Sequence, residues 1–213
     1  KDPAASNQAA SVRDLTAGPD DDETRQREIR DAMDAFVLSG ALKLYRAAHG
    51  VKGDFHHHTM LVHESVRQVE HAELAATVED VWNRAGYTSP SGMRRLHDLW
   101  RDDFRVVTNA RSPQAAIDDF AALRPFIGES VSRIRSGYRP VIVVNGAAER
   151  DYMQEDLDFQ AGPVWKILVG GAKLSRGFTV EGLTTTYYTR RTVAADTLMQ
   201  MGRWFGYRPG YQD

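Results

Sequence analysis

The sequence predicts an α/β protein with a mainly parallel sheet flanked by helices and a helical insertion. Three observations carry this. Val141-Ile142-Val143-Val144 and Ile167-Leu168-Val169 are continuous apolar runs, the pattern of strands buried on both faces. The run Thr59-Met60-Leu61-Val62-His63 and the weaker run Thr184 to Tyr188 also have strand character. Helix-period segments separate these runs, and that alternation places parallel strands side by side under packed helices. The C-terminal ends of such strands form the active edge of the sheet.

Residues 1–23 are rich in Ala, Ser, Gly, Pro and Asp, with almost no large apolar side chain, so they read as a disordered linker or tail. The acidic run Asp20-Asp21-Asp22-Glu23 abuts a helical pattern, and its carboxylates suit a helix N-terminus better than a metal site. From Thr24 to His49, Ile29, Met33, Phe36, Val37, Leu44 and Tyr45 recur at helical spacing, and Gly50 is the stop. After the strand at 59–63, a second helix carries Val66, Val69, Leu74, Val78, Val81 and Trp82 and closes at Gly86. Residues 87–136 read as a helical insertion, in which Ser112-Pro113 is the expected cap and first turn of a helix through Ile117, Phe120 and Leu123. The domain as a whole spans residues 24–213. The chain stops at Asp213 directly after an aromatic and arginine cluster, as a fragment of a longer protein would.

Composition narrows the function classes. The 213 residues are 42% apolar and 26% charged, and 27 basic against 29 acidic groups leave a net charge of −2. That balance excludes a dedicated basic nucleic-acid coat, so any nucleic-acid contact is a local patch. The absence of cysteine removes disulfides, thiolate zinc sites and cysteine nucleophiles, and fits a reducing cytoplasm. No stretch of about 18 apolar residues is present to span a bilayer.

The chemistry-bearing segments lie in the last third. The buried strand at 167–169 opens into Gly170-Gly171-Ala172-Lys173-Leu174-Ser175-Arg176-Gly177, where glycines permit close backbone approach to a phosphate and a cation stands beside it. A plain strand connection with a solvated Arg176 fits the same residues. Further on, Gln200-Met201-Gly202-Arg203-Trp204-Phe205-Gly206-Tyr207-Arg208 reads as a helix ending at a glycine turn, with two arginines among aromatics. A rigidly held arginine stabilises a phosphoryl-transfer transition state. Stacking of Arg203 on Trp204 or Tyr207 is the structural alternative.

The order of strand, Ser175-Arg176-Gly177, Glu181-Gly182-Leu183, strand and Gln200-Met201-Gly202-Arg203 resembles motifs five and six of the C-terminal RecA-like lobe of superfamily-two helicases. His58-Thr59-Met60-Leu61-Val62-His63, Asn145-Gly146, the glycine loop at 170–177 and the block at 200–208 are similar to the Z-one (Z1) domain family. Members of that family are described as an endonuclease domain beside helicase-type ATPase segments in bacterial restriction, modification and phage-defence proteins. The resemblance implies a RecA-like second lobe that supplies Arg203 and Arg208 to a nucleotide held by an N-terminal ATPase lobe of the same protein. It implies ATP and magnesium as cofactors through that partner lobe, and DNA as a partner. Gly170, Gly171, Lys173, Ser175, Arg176, Gly177 and Gln200 are the implied nucleotide or nucleic-acid contacts. The sequence departs from the helicase pattern at Thr179, which takes the usual acidic position, and at Gln200, one residue closer to Gly202 than is common.

Absences sharpen this. The chain has no Gly-Lys-Ser or Gly-Lys-Thr phosphate loop. None of Lys43, Lys52, Lys166 and Lys173 follows a carboxylate by two positions, so the signature of the commonest restriction-nuclease fold is missing. His56, His57, His58 and His63 cluster around one strand, but strand alternation splits them between two faces. They read as core histidines rather than as a metal site. Three functional readings remain: an arginine-supplying ATPase lobe, a metal-dependent nuclease using Asp151, Asp156 or Asp158, and a non-catalytic interaction module.

Overall fold

The protein is α/β. A computed structural model describes residues 12–63, 68–137, 139–144, 157–170 and 180–189. Helix α1 spans Asp22–Ala48, strand β1 His58–His63, α2 Gln68–Ala85 and α3 Pro90–Leu99. A π-helical turn, Trp100–Phe104, joins α3 to α4 (Arg105–Arg111), and α5 spans Arg124–Arg135. Strands β2 (Val141–Val143), β3 (Trp165–Gly170) and β4 (Leu183–Tyr188) complete the sheet. All pairings are parallel, in the order β2-β3-β1-β4. The four sequence runs therefore share one sheet, as the alternation of apolar runs and helices predicts.

Helix α1 starts where its acidic run predicts. Asp21 is the N-cap, its side chain accepting from the Thr24 N–H at 3.0 Å, and Asp22 and Glu23 occupy the first turn. Ahead of it, residues 12–18 lack regular structure but touch the helices: Thr16 Oγ1 donates to Glu28 at 3.0 Å, and Arg13 pairs with Asp103. The helix ends at Gly50, whose φ of +73° suits glycine. At its end α2 meets Gly86 at φ +59°, and the true cap of the next helix is Ser89, accepting from Gly92 N at 3.1 Å ahead of Pro90.

Ser112-Pro113 behaves differently from expectation. It opens only a 3₁₀ turn, Pro113–Ala115, and Ala116 is already extended. The next turn, Phe120–Leu123, is started by Asp119, which accepts from Ala121 N at 2.8 Å and so supplies the cap. The Ser112 side chain makes no cap hydrogen bond to the turn that follows it, and the next turn takes its cap from Asp119 instead.

One face of the sheet carries the helices. Met60 and Val62 of β1, Ile167 and Val169 of β3, and Val141 of β2 pack with Phe36, Val37 and Ala41 of α1, Trp82 of α2, Leu96 of α3 and Ile127 of α5. The helical segment 87–136 thus contributes side chains to the main core. Leu61, Ile142 and Leu168 point the other way and pack with Leu157, Val164 and Val180. Every residue of β1 and β3 is buried, which explains the apolar centres of these strands, Met60-Leu61-Val62 and Ile167-Leu168-Val169.

Candidate functional site

The C-terminal edge of the sheet is assembled from three strand ends. In the central strand β1, His63 lies opposite Gly170 of β3 on one side and Tyr188 of β4 on the other. The His63 ring is fully buried and stacks on Tyr188, with centroids 5.0 Å apart at 26°. The Thr189 N–H donates to the His63 carbonyl at 3.2 Å, and the Val144 N–H to the Val169 carbonyl at 2.8 Å. These bonds hold the strand ends level. Gly170, the first residue of the glycine loop, is the buried last residue of β3. The chain therefore enters that loop from the edge at which parallel sheets bind ligands.

Gly171, Lys173, Ser175, Arg176, Gly177, Gln200, Arg203 and Arg208 lie outside the described residues, as do Asn145, Gly146, Asp151 and Asp156. Asp158 is described and exposed. Its carboxylate accepts from Gln160 N at 2.8 Å, an ordinary turn contact. Sequence reasoning did not single out Tyr188, because its run looks like a weak strand and only the parallel register brings it beside His63.

The opposite edge is tied together by backbone. Gly182, at φ +68°, sits so close to His57 that a Cβ there would stand 2.4 Å from the His57 carbonyl carbon. Only glycine fits both the left-handed backbone and that approach. Thr59 N donates to the Gly182 carbonyl at 2.9 Å and Thr59 Oγ1 to the Glu181 carbonyl at 2.8 Å. Glu181-Gly182-Leu183 is thus a structural joint at the N-terminal edge, away from Gly170.

The histidines are divided among different tasks. His58 stacks on Phe36, centroids 4.2 Å apart at 4°, and its Nε2 donates to the Phe36 carbonyl at 2.8 Å. Gly40 makes room for it, since a Cβ there would stand 2.8 Å from that nitrogen and 2.4 Å from Ser130 Oγ. His57 Nδ1 accepts from Val164 N at 3.2 Å, and its Nε2 faces Glu181 Oε2 at 3.5 Å. Among the described residues no three His, Asp or Glu side chains converge as a metal site requires. Two lysines are structural as well. Buried Lys43 donates to the His57 carbonyl at 3.1 Å. Lys166 donates to the Ile134 carbonyl at 3.3 Å and the Arg139 carbonyl at 2.8 Å, placing its charge at the C-terminal end of α5.

Burial pushes the His58 imidazole well below its ordinary value, and the Lys43 charge adds to this. The native state therefore keeps His58 neutral while the unfolded chain protonates it below about pH 6.5. With more protons bound in the unfolded state, stability is full above that pH and is lost as pH falls through the window beneath it. One such histidine costs on the order of 1 kcal/mol between pH 7.5 and 5.5. Urea unfolding at the two pH values should show a loss smaller by about that amount in His58→Gln than in wild type. Equal losses in both proteins would contradict this reading of His58.

Residues 28–213 match the model of the Z1 domain. The chain belongs to the Z1 domain family. Neither a curated protein nor a solved structure matches it. Within this Z1 domain the match begins inside α1 and takes in the whole sheet, both edges included. No helix among the described residues is long and apolar enough to cross a membrane. Within the matched range, residues 58–63 are the buried central strand, and its two terminal histidines face opposite sides: His58 toward α1, His63 toward Tyr188.

Proposed function

We propose that this Z1 domain is the second, RecA-like lobe of an ATP-dependent nucleic-acid-processing protein of the restriction and phage-defence kind. It supplies arginines to a nucleotide held by a partner lobe and meets the nucleic-acid backbone with its strand-end loops. The observation that carries this reading is the position of Gly170. It closes a buried parallel strand beside the central one and leads directly into Gly171 to Gly177. A glycine-rich segment that runs on from that edge and carries Arg176 suits a phosphate group. Arg203 and Arg208, in the block that ends the chain, are the transition-state charges of the proposal.

ATP and magnesium belong to the other lobe in this account. The chain has no phosphate loop. Bound there, ATP supplies the phosphoryl group whose transfer the arginines stabilise. The residues of this chain orient and neutralise charge at the seam.

The chain alone is expected to be inactive, and the protein carrying both lobes to hydrolyse ATP with stimulation by nucleic acid. Both preparations are incubated with ATP or plasmid DNA, magnesium and manganese. ATP hydrolysis or DNA cleavage by the chain alone that survives repurification and disappears on a point mutation would overturn the assignment. Lack of turnover in the two-lobed protein would do the same.

A further inference from the structure

Away from the sheet edge, α3, the turn at Phe120 and the start of α5 enclose an open groove of about 640 Å3. Its floor is apolar, formed by Pro90, Met93 and Phe120. Its walls carry Arg94 and His97 from α3 and Arg124 from α5. Phe120 is buried and holds the His97 ring edge-on, with centroids 5.1 Å apart, so the base of the groove is fixed.

The two arginines stand out from their neighbours. Arg95 pairs with Asp34, Arg101 with Asp98 and Arg133 with Glu129. Arg94 and Arg124 are exposed and have no ion pair or side-chain hydrogen bond among the described residues. Two carboxylates of these elements already have partners: Asp98 pairs with Arg101 at 3.0 Å, besides facing His97 at 3.5 Å, and Asp119 accepts from the Ala121 N–H at 2.8 Å. The setting is locally basic, since residues 87–136 hold eight arginines against six carboxylates in a chain whose net charge is −2.

We propose that this groove binds a single nucleic-acid strand, with Arg94 and Arg124 taking phosphodiesters and the accessible Pro90 and Met93 surface supporting the sugar or base between them. Two cations on separate elements, flanking an apolar floor, match the alternation of charge and flat apolar surface along a strand. The proposal extends the nucleic-acid half of the function above to a second surface that does not depend on the nucleotide or on the loop at 170–177.

The test is fluorescence anisotropy of the chain with a labelled oligodeoxythymidine of about 20 nucleotides at about 50 mM salt. Arg94→Glu/Arg124→Glu should weaken binding by at least about 10-fold, and lower the slope of log Kd against log salt by about 1.4, at about 0.7 per phosphate contact. Arg94→Lys/Arg124→Lys should bind within about threefold of wild type, because the charge is kept. Arg25→Glu/Arg84→Glu alters net charge equally at residues paired with Asp22 and Asp80. It should bind like wild type. Thermal unfolding of each variant confirms that the fold is retained. No binding by wild type, equal binding by the Arg94/Arg124 reversal, or equal weakening in the Arg25/Arg84 control overturns the proposal. So does displacement of the strand by AMP or by polyglutamate as readily as by unlabelled oligonucleotide. Loss of ATP turnover in the two-lobed protein is a separate readout, so the groove and the nucleotide edge fail independently.

Discussion

Arg203→Ala should lower ATP turnover of the protein carrying both lobes by on the order of 10³-fold, while nucleotide binding changes far less. The expectation follows from the residue's place directly after Gly202, in the sequence block that resembles the arginine motif of helicase second lobes. A guanidinium that meets the phosphoryl group in the transition state contributes to kcat and little to ground-state affinity. Packing of Arg203 on Trp204 or Tyr207 predicts a different pattern, a stability loss of roughly 1 kcal/mol with turnover per folded molecule unchanged. Turnover and thermal unfolding measured on one preparation separate the two. Arg208→Ala and Arg176→Ala, run in parallel, show which cation faces the nucleotide. Wild-type turnover in folded Arg203→Ala removes that residue from the chemistry.

Arg95→Ala should destabilise the domain by about 3 kcal/mol at pH 7, a large share of a typical domain's stability. Arg95 on α3 pairs through two nitrogens with Asp34 on α1, whose side chain is 3% exposed. It also donates to the Ala85 carbonyl at 2.9 Å and lies over the Tyr87 ring. Removing it strands a buried carboxylate on α1 and releases the tie from α3 to the C-terminal end of α2. Burial already pushes the Asp34 carboxyl above its ordinary value, and the hydrogen bonds and charge of Arg95 offset that only in part. Without the arginine the carboxyl rises further. A folded value above the unfolded one means the native state holds the extra proton, so stability is kept at low pH and lost as pH rises through the folded value. The deficit of Arg95→Ala relative to wild type should therefore shrink between pH 7 and pH 4.5. Adding Asp34→Asn should recover part of it. Urea unfolding checks both, and a pH-independent deficit with no recovery would show that lost packing alone is responsible.

Much of the scaffold is legible in the sequence because it depends on local signals. Continuous apolar runs mark the centres of β1, β2 and β3, since a strand covered on both faces leaves no polar side. Asp21, Gly50 and Gly86 mark helix ends because caps and left-handed turns accept few residue types. Ser112-Pro113 misleads, because the next turn takes its cap from Asp119, seven residues further along. The π-helical turn at Trp100–Phe104 has no local signature. The edge itself is only partly legible. Gly170 is visible as the start of a glycine loop, but the meeting of His63 with Tyr188 arises from the β2-β3-β1-β4 order, which periodicity does not encode. The Arg94 and Arg124 groove escapes for the same reason. Its two cations are 30 positions apart in sequence and are joined only by the packing of α3 and α5 around Phe120.

On the function proposed above, ligands meet this domain at the C-terminal edge of its sheet. Hydrogen–deuterium exchange of the two-lobed protein, with and without a non-hydrolysable ATP analogue and DNA, tests it directly. Exchange should slow at the strand ends around His63, Gly170 and Thr189 and in the residues that follow Gly170, with Glu181 and Gly182 at the opposite edge unchanged. Protection confined to that opposite edge, or none at the ends of β1 and β3, would contradict it.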